Sequence, residues 1–197
     1  MDAMTLAQEL KNFFGQRPKV RSVTLYGSIV KGTADSYSDV DIKIDVSGYD
    51  NGKFLLGVPA MLAEKYKVLY SDFAPSLAPE QYVISCALSE ENPFLVVDVN
   101  CAADPHVTSV AKWELKNDPV THVLKLWVAN TKHFIRGQEC YRDIAKMYRK
   151  SVGDALPEGQ ELAMLRGTLT WLEEHVPERL DGYVKSCRRV LDEVFEQ

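Results

Sequence analysis

Two aspartates separated by one residue, Asp39 and Asp41, have the clearest chemical potential in this sequence. Side chains at positions i and i+2 of a β-strand project from the same face, so these two carboxylates would lie together on a strand. Carboxylates held this close repel each other, and a divalent cation relieves the repulsion. Mg²⁺ binds one or two carboxylates and completes its shell with phosphate oxygens and water. The pair therefore predicts a metal site suited to a phosphorylated ligand.

A segment that contains glycines and hydroxyl side chains, residues 27–33, precedes the Asp39–Asp41 pair. Gly27 lets the backbone approach a ligand without a Cβ in the way. Ser28 offers a hydroxyl and an amide at the start of a helical turn, which suits an anion, and Lys31 adds a positive charge. We predict that five residues contact a nucleotide, four in this segment and one directly before Asp39: Gly27, Ser28, Lys31, Thr33 and Ser38.

Hydrophobic periodicity predicts the elements that position these residues. Residues 20–26 alternate and are rich in β-branched side chains, which predicts a strand ending at Gly27-Ser28. Residues 40–46 predict a second strand with one apolar face, and Asp45 shares the acidic face. Asp45 is interpreted as a solvated strand end.

Further patterns predict an α/β part followed by a helical part. We expect helices at 5–15, with Thr5 and Gln8 as a capping box, and at 54–67. Strands are expected at 81–88 and 94–99, and helices from 119 onward, at 161–174 and at 180–195. Two domains follow, at residues 1–105 and 106–197.

The order of these features resembles a known family. A strand leads into Gly27-Ser28, Gly32 follows four residues after Ser28, and Ser38-Asp39-Val40-Asp41 opens a second strand. This conjunction resembles the DNA polymerase β-like nucleotidyltransferase superfamily, and especially its small bacterial members that modify aminoglycoside or lincosamide antibiotics. The resemblance extends over about residues 20–100. It implies an α/β (α+β) fold, with a small mixed-sheet nucleotidyltransferase core followed by a C-terminal helical bundle.

The resemblance also implies a third carboxylate on a later strand, and Asp98 fits. It interrupts the apolar run Phe94–Val99, where an acidic side chain is costly to bury unless it is paired or binds a metal. By the family pattern, the metal ligands and catalytic residues are Asp39, Asp41 and Asp98. Asp98 would also help to deprotonate the acceptor hydroxyl.

The expected reaction is the transfer of a nucleoside monophosphate, AMP from ATP or the equivalent from another nucleoside triphosphate. The acceptor would be a hydroxyl of a small molecule such as an aminoglycoside or a lincosamide, and pyrophosphate would be released. Two Mg²⁺ ions are the expected cofactors. The helical half would complete the acceptor pocket or form a homodimer contact. Two alternatives remain open: a minimal nucleotidyltransferase of a toxin–antitoxin pair that adenylylates a protein, and a nucleotide-binding module without catalysis.

The composition of the chain limits the kinds of partner that we expect it to bind. The net charge of −5 disfavours a nucleic-acid substrate, which requires a positive surface along the phosphates. The four cysteines show no zinc-ligand or disulfide spacing, so we expect free thiols. No apolar run is long enough to span a membrane, and the first five residues do not form a signal peptide. We therefore expect a cytoplasmic protein without a membrane partner.

Overall fold

The computed structural model describes residues 2–74, 80–157 and 160–195, which fall into two compact units. The first unit lies within residues 1–89 and 95–117, and the second within residues 90–94 and 118–197. The predicted fold class, a mixed α/β core followed by C-terminal helices, is confirmed. The domain division at residue 105 stays a prediction, because compactness alone does not show that either part folds independently. Residues 1, 75–79, 158–159 and 196–197 of the predicted domains lie outside the described residues.

Among the described residues of the first unit, five strands form one sheet and three α-helices accompany it. The strands are β1 (Ser22–Tyr26), β2 (Val40–Asp45), β3 (Tyr70–Phe73), β4 (Tyr82–Ala87) and β5 (Val96–Ala102). The helices are α1 (Ala3–Gly15), α2 (Gly27–Lys31) and α3 (Asn51–Ala63). The spatial order is β1-β2-β5-β4-β3, and only the pair β2–β5 is parallel within this sheet of described residues.

The two faces of the sheet differ in polarity. The apolar face predicted for β2 is fully buried, with 0% exposure at each of four positions: Val40, Ile42, Ile44 and Val46. Helix α1 packs on β1 and β2, and α3 packs on β4 and β5. Burying these side chains removes them from water, which drives the association of helices and sheet. The opposite face of β1 and β2 keeps its polar side chains at least partly exposed.

The N-terminus of α1 differs from the prediction. The helix begins at Ala3, and Asp2 caps it by accepting a hydrogen bond from the Thr5 backbone N–H at 2.9 Å. The predicted capping box of Thr5 and Gln8 is therefore wrong. Aspartate is a stronger cap than threonine, and here the Thr5 hydroxyl also donates to Asp2, at 2.8 Å.

Helix α3 begins three residues earlier than predicted, because Asp50 caps it. One Asp50 carboxylate oxygen accepts from the Lys53 N–H at 2.8 Å, and the other accepts from the Ser109 N–H at 2.6 Å. Partial burial alone would raise the pKa of Asp50, but the hydrogen bonds from Lys53 and Ser109 outweigh it and hold the pKa below its ordinary value.

We expect Asp50→Ala to lower the free energy of unfolding by about 1–2 kcal/mol, the usual cost of losing a helix cap. Because the folded-state pKa is the lower one, this stabilisation is complete above the unfolded-state pKa and is lost as the pH falls through the folded-state pKa. Urea unfolding of both proteins at pH 7 and pH 3 measures the effect. An equal difference in stability at the two pH values would contradict it.

The second unit contains four α-helices among its described residues. They are α4 (Pro119–Ile135), α5 (Tyr141–Ser151), α6 (Glu161–His175) and α7 (Asp181–Phe195). The helical pattern that starts at Pro119 divides into α4 and α5, with Gly137 in the left-handed region at φ 66° just after α4. Trp127 is fully buried, and its Nε1–H donates to the Leu165 carbonyl at 2.9 Å.

The apolar runs and the cysteines of the chain take the following form in the structure. Within the described ranges, no helix combines the length and apolarity needed to cross a membrane. All four cysteines are free and buried, in agreement with the prediction of free thiols: Cys86, Cys101, Cys140 and Cys187.

Candidate metal and nucleotide site

Three aspartates meet on the polar face of the sheet. One carboxylate oxygen from each of Asp39, Asp41 and Asp98 lies within 4.8 Å of the other two. Two oxygens bound to one Mg²⁺ are at most about 4.2 Å apart, twice the metal–oxygen distance. Neighbouring ligands of an octahedral Mg²⁺ are closer still, about 2.9 Å apart, so the three carboxylates must move toward one another to share a cation. All three residues are partly exposed, so a ligand can reach them.

Strand pairing explains how these residues meet. Asp39 directly precedes β2 and Asp41 lies within it, so they share a face. The parallel register of β2 and β5 places Asp41 beside Asp98. Residues paired in this way sit on adjacent strands, about 4.8 Å apart, with side chains on the same face. The three carboxylates could therefore bind a divalent metal together.

Tyr26 also belongs to the site, although its role was not predicted. It is paired with Asp41 across β1 and β2 and is 38% exposed. Partial burial and the negative charges of Asp41, Asp98 and Asp39 raise the pKa of Tyr26 to about 12. The phenol therefore stays protonated at neutral pH and can donate a hydrogen bond. Its position at the end of the strand that leads into Gly27 was the available sequence signal.

Gly27 is required by the packing of the site. Its φ of +71° is in the left-handed region, and a Cβ added there would lie 1.9 Å from Asp41 Oδ2. The Asp41 carboxylate therefore occupies space that any side chain at residue 27 would take. The structure thus gives Gly27 a role in seating a candidate metal ligand, beyond the predicted close approach of a nucleotide.

Ser28 carries a hydroxyl that protein groups do not satisfy. Its Oγ is buried and has no hydrogen-bond partner among the described residues. Leaving a buried hydroxyl unpaired costs about 1–3 kcal/mol. Such a group is suited to a ligand oxygen, and contact of Ser28 with a phosphate stays a prediction.

The other predicted nucleotide contacts lie at the end of α2 and in the loop between α2 and β2. Lys31 ends α2 and is exposed, and the Thr33 backbone N–H donates to the Ser28 carbonyl at 3.0 Å. Ser38 is 1% exposed, and its hydroxyl donates to Asp35 Oδ1 at 2.9 Å. Ser38 therefore helps to shape the loop before Asp39. Direct contact of these three residues with a nucleotide stays a prediction.

Two tryptophans have different environments. Trp127 is fully buried. Trp113 is 77% exposed in the turn Lys112–Glu114.

A family model matches part of the chain. Residues 8–73 match the family described as "Polymerase beta, Nucleotidyltransferase". The match runs from α1 to β3 and includes Gly27, Ser28, Asp39 and Asp41. Asp98 lies beyond it, so this carboxylate joins the site through the tertiary structure. A search of curated proteins finds no significant match.

Two solved structures show distant similarity. The first is described as the structure of the GLD-2/RNP-8 complex, with 17% identity and a TM-score of 0.38 over 86% of this chain and 73% of that chain. The second is the non-canonical poly(A) polymerase complex GLD-2 – GLD-3, with 16% identity and a TM-score of 0.37 over 90% of this chain and 55% of that chain. The chain thus spans about half the length of the second protein. At this similarity, neither structure bears on the substrate.

Proposed function

We propose that this chain, whose residues 8–73 match the polymerase β nucleotidyltransferase family, transfers AMP from ATP to a hydroxyl of a small molecule and releases pyrophosphate. The observation that carries this proposal is the meeting of Asp39, Asp41 and Asp98 within 4.8 Å on an exposed face of the sheet. Three carboxylates so close are costly in mutual repulsion unless a cation binds between them.

The residues fit Mg²⁺, which prefers carboxylate oxygens together with substrate phosphates. Asp39, Asp41 and Asp98 would hold the metal. When bound, Mg²⁺ neutralises charge on the triphosphate and lowers the pKa of an adjacent hydroxyl. The fit is supported by the 4.8 Å separation of the ligand oxygens and by the buried Ser28 Oγ without a protein partner.

Each of the chain's own groups has a defined task in this proposal. The Ser28 hydroxyl donates a hydrogen bond to a phosphate oxygen, while Lys31 supplies positive charge to the triphosphate. The acceptor oxygen forms a bond to the α-phosphorus, and the bond from that phosphorus to pyrophosphate breaks. The acceptor proton passes to a carboxylate oxygen of Asp98. Positioning and charge neutralisation account for most of the acceleration in such transfers.

The acceptor class that we favour is an aminoglycoside or a lincosamide. It is supported by the resemblance of the Gly27-to-Asp41 motif to small antibiotic-modifying enzymes and by the acidic net charge of −5, which suits a cationic acceptor. A homodimer and a cytoplasmic location stay predictions.

A pyrophosphate-release assay tests this function. We expect release from ATP with Mg²⁺ to be stimulated by at least one of kanamycin, spectinomycin and lincomycin, and mass spectrometry should find that antibiotic heavier by one AMP. GTP, CTP and UTP tested in parallel identify the nucleotide. Stimulation by a purified protein, with AMP found on that protein, would favour protein adenylylation. Binding of ATP without any release would favour a module without catalysis.

A further inference from the structure

The polar face of the sheet continues past the three aspartates as a cavity of about 430 Å³. We call this cavity the sheet groove. Its polar lining comes from β1, from β2, and from the residues that follow β2 and β5: Ser22, Thr24, Lys43, Asp45, Ser47 and Asp104. The volume is within the range of small-molecule sites, about 300–1,000 Å³.

Strand register places the sheet groove next to the candidate metal ligands. Asp41 is paired with Tyr26, Lys43 with Thr24, and Asp45 with Ser22. These three pairs follow one another along the same face, because each step is two residues. At about 3.3 Å per residue, Asp45 is about 13 Å along the strand from Asp41. A molecule that extends from Asp41 along this face therefore enters the groove.

The charges in the sheet groove are ordered along its length. Lys43 is exposed at the end nearer the candidate metal ligands, and the two carboxylates of Asp45 and Asp104 belong to the far end. Hydrogen bonds from the Ser47 side chain and backbone hold the pKa of Asp45 below its ordinary value, with smaller contributions from the positive charges of Arg21 and Lys43, so Asp45 is anionic at neutral pH.

Hydrogen bonds of Ser47 connect the residues at the far end of the sheet groove. Its hydroxyl donates to Asp45 Oδ1 at 2.6 Å and its backbone N–H donates to the same oxygen at 2.8 Å. The Asp104 backbone N–H in turn donates to the Ser47 hydroxyl at 2.8 Å. Ser47 thus joins the Asp45 carboxylate to the backbone of residue 104, and both acidic residues line the same cavity.

We propose that the sheet groove binds the body of the acceptor and selects a polyhydroxylated molecule that carries an amino group far from its reacting hydroxyl. This inference rests on the proposed function. Asp45 and Asp104 attract the ammonium group, and Lys43 repels it from the candidate metal ligands. The neutral hydroxyl end is thereby directed to Asp98, while Ser22 and Thr24 offer hydroxyls to the rest of the molecule.

The length of the groove sets the size of the acceptor. An ammonium group at Asp45 and a reacting hydroxyl at Asp98 are separated by about 10 Å or more, from the strand rise. A single sugar ring is too short to span this distance, whereas two or three linked rings reach. Kanamycin has the required rings and amino groups, glucosamine has the amino group on one ring, and maltotriose has three rings without a charge.

Calorimetric titration of kanamycin, with Mg²⁺ and a non-hydrolysable ATP analogue present, tests the proposal in the full chain. We expect wild type to bind kanamycin at least about 10-fold more tightly than glucosamine or maltotriose, the effect of a hydrogen bond to a charged group. Asp45→Asn keeps an oxygen that can accept from Ser47 but removes the charge, and it should weaken kanamycin binding by about the same factor.

Glu64→Gln is the matched control, since it also removes one carboxylate charge. Glu64 directly follows α3, and it forms a partly exposed ion pair with Arg17 at 2.6 Å. We expect it to bind kanamycin as wild type does. Absence of kanamycin binding to wild type, or equal binding by wild type and Asp45→Asn, would overturn the proposal. Kanamycin binding without pyrophosphate release would instead contradict the proposed function, so the two failures are distinguishable.

Discussion

Asp41→Asn is expected to abolish pyrophosphate release almost completely while leaving the fold intact. Changing a residue that only orients a metal ligand already costs about 10–100-fold. Loss of a direct ligand should therefore lower turnover by more than about 100-fold. Asparagine preserves the size of the side chain, so the loss can be attributed to charge. The measurement is turnover with ATP and Mg²⁺ for the variant and for Glu64→Gln, which should behave as wild type.

Thermal unfolding gives a second measurement for this variant. Without metal, three carboxylates repel one another on the sheet, and Asp41→Asn relieves part of that repulsion. In EDTA, the melting temperature of the variant should therefore equal or exceed that of wild type. Added Mg²⁺ should raise the melting temperature of wild type, because a ligand that binds only the folded state stabilises it. An equal Mg²⁺-dependent rise in Asp41→Asn would contradict the assignment of the metal to this carboxylate.

Gly27→Ala is expected to lower turnover nearly as much as Asp41→Asn does, because the added side chain displaces the Asp41 carboxylate. The added Cβ would lie 1.9 Å from Asp41 Oδ2 and 2.9 Å from its Cγ, distances at which the carboxylate must move. We expect turnover to fall by more than about 100-fold, because the displaced group is a direct ligand. The left-handed backbone at φ +71° adds strain of about 1–2 kcal/mol to the folded state.

Gly32 and Gly15 provide controls that separate these two causes. Gly32 has a similar φ of +68°, but a Cβ there would meet nothing within 4 Å. Gly32→Ala should therefore lose stability through backbone strain and keep its metal ligands in place. Gly15 has open space and no left-handed φ, so Gly15→Ala should leave both turnover and stability close to wild type. Equal turnover in Gly27→Ala and Gly32→Ala would contradict the role of Gly27 in seating Asp41.

Local features of the site could be predicted from the sequence because they depend on neighbouring residues. Alternation in β2 placed its apolar side chains on the buried face and its aspartates on the other. Gly27-Ser28, followed by Asp39 and Asp41, lies within one stretch of chain, and the family match covers that stretch. Asp98 was also assigned from the sequence, because the family resemblance implies a third carboxylate on a later strand and Asp98 interrupts an apolar strand.

Helix ends and breaks were harder to predict, since the sequence offered competing signals. Asp2 and Thr5 are both good caps, and only the hydrogen-bond geometry shows that Asp2 begins α1. Asp50 also bonds to Ser109, a residue distant in sequence, and this contact fixes the start of α3. The division of the helical pattern after Gly137 likewise depends on a backbone conformation that periodicity does not specify.

The candidate ligand-binding groups could be identified without the fold: a glycine turn, a serine hydroxyl and three carboxylates. Tertiary structure decided how they meet, because β5 pairs in parallel with β2, and this non-local pairing places Asp98 beside Asp41. It also brought Tyr26 next to the carboxylates and joined Asp45 and Asp104 in the sheet groove. Hydrophobic periodicity indicates which face of a strand or helix a side chain occupies. Strand order and register depend on packing between distant segments, and so they decided the shape of the site.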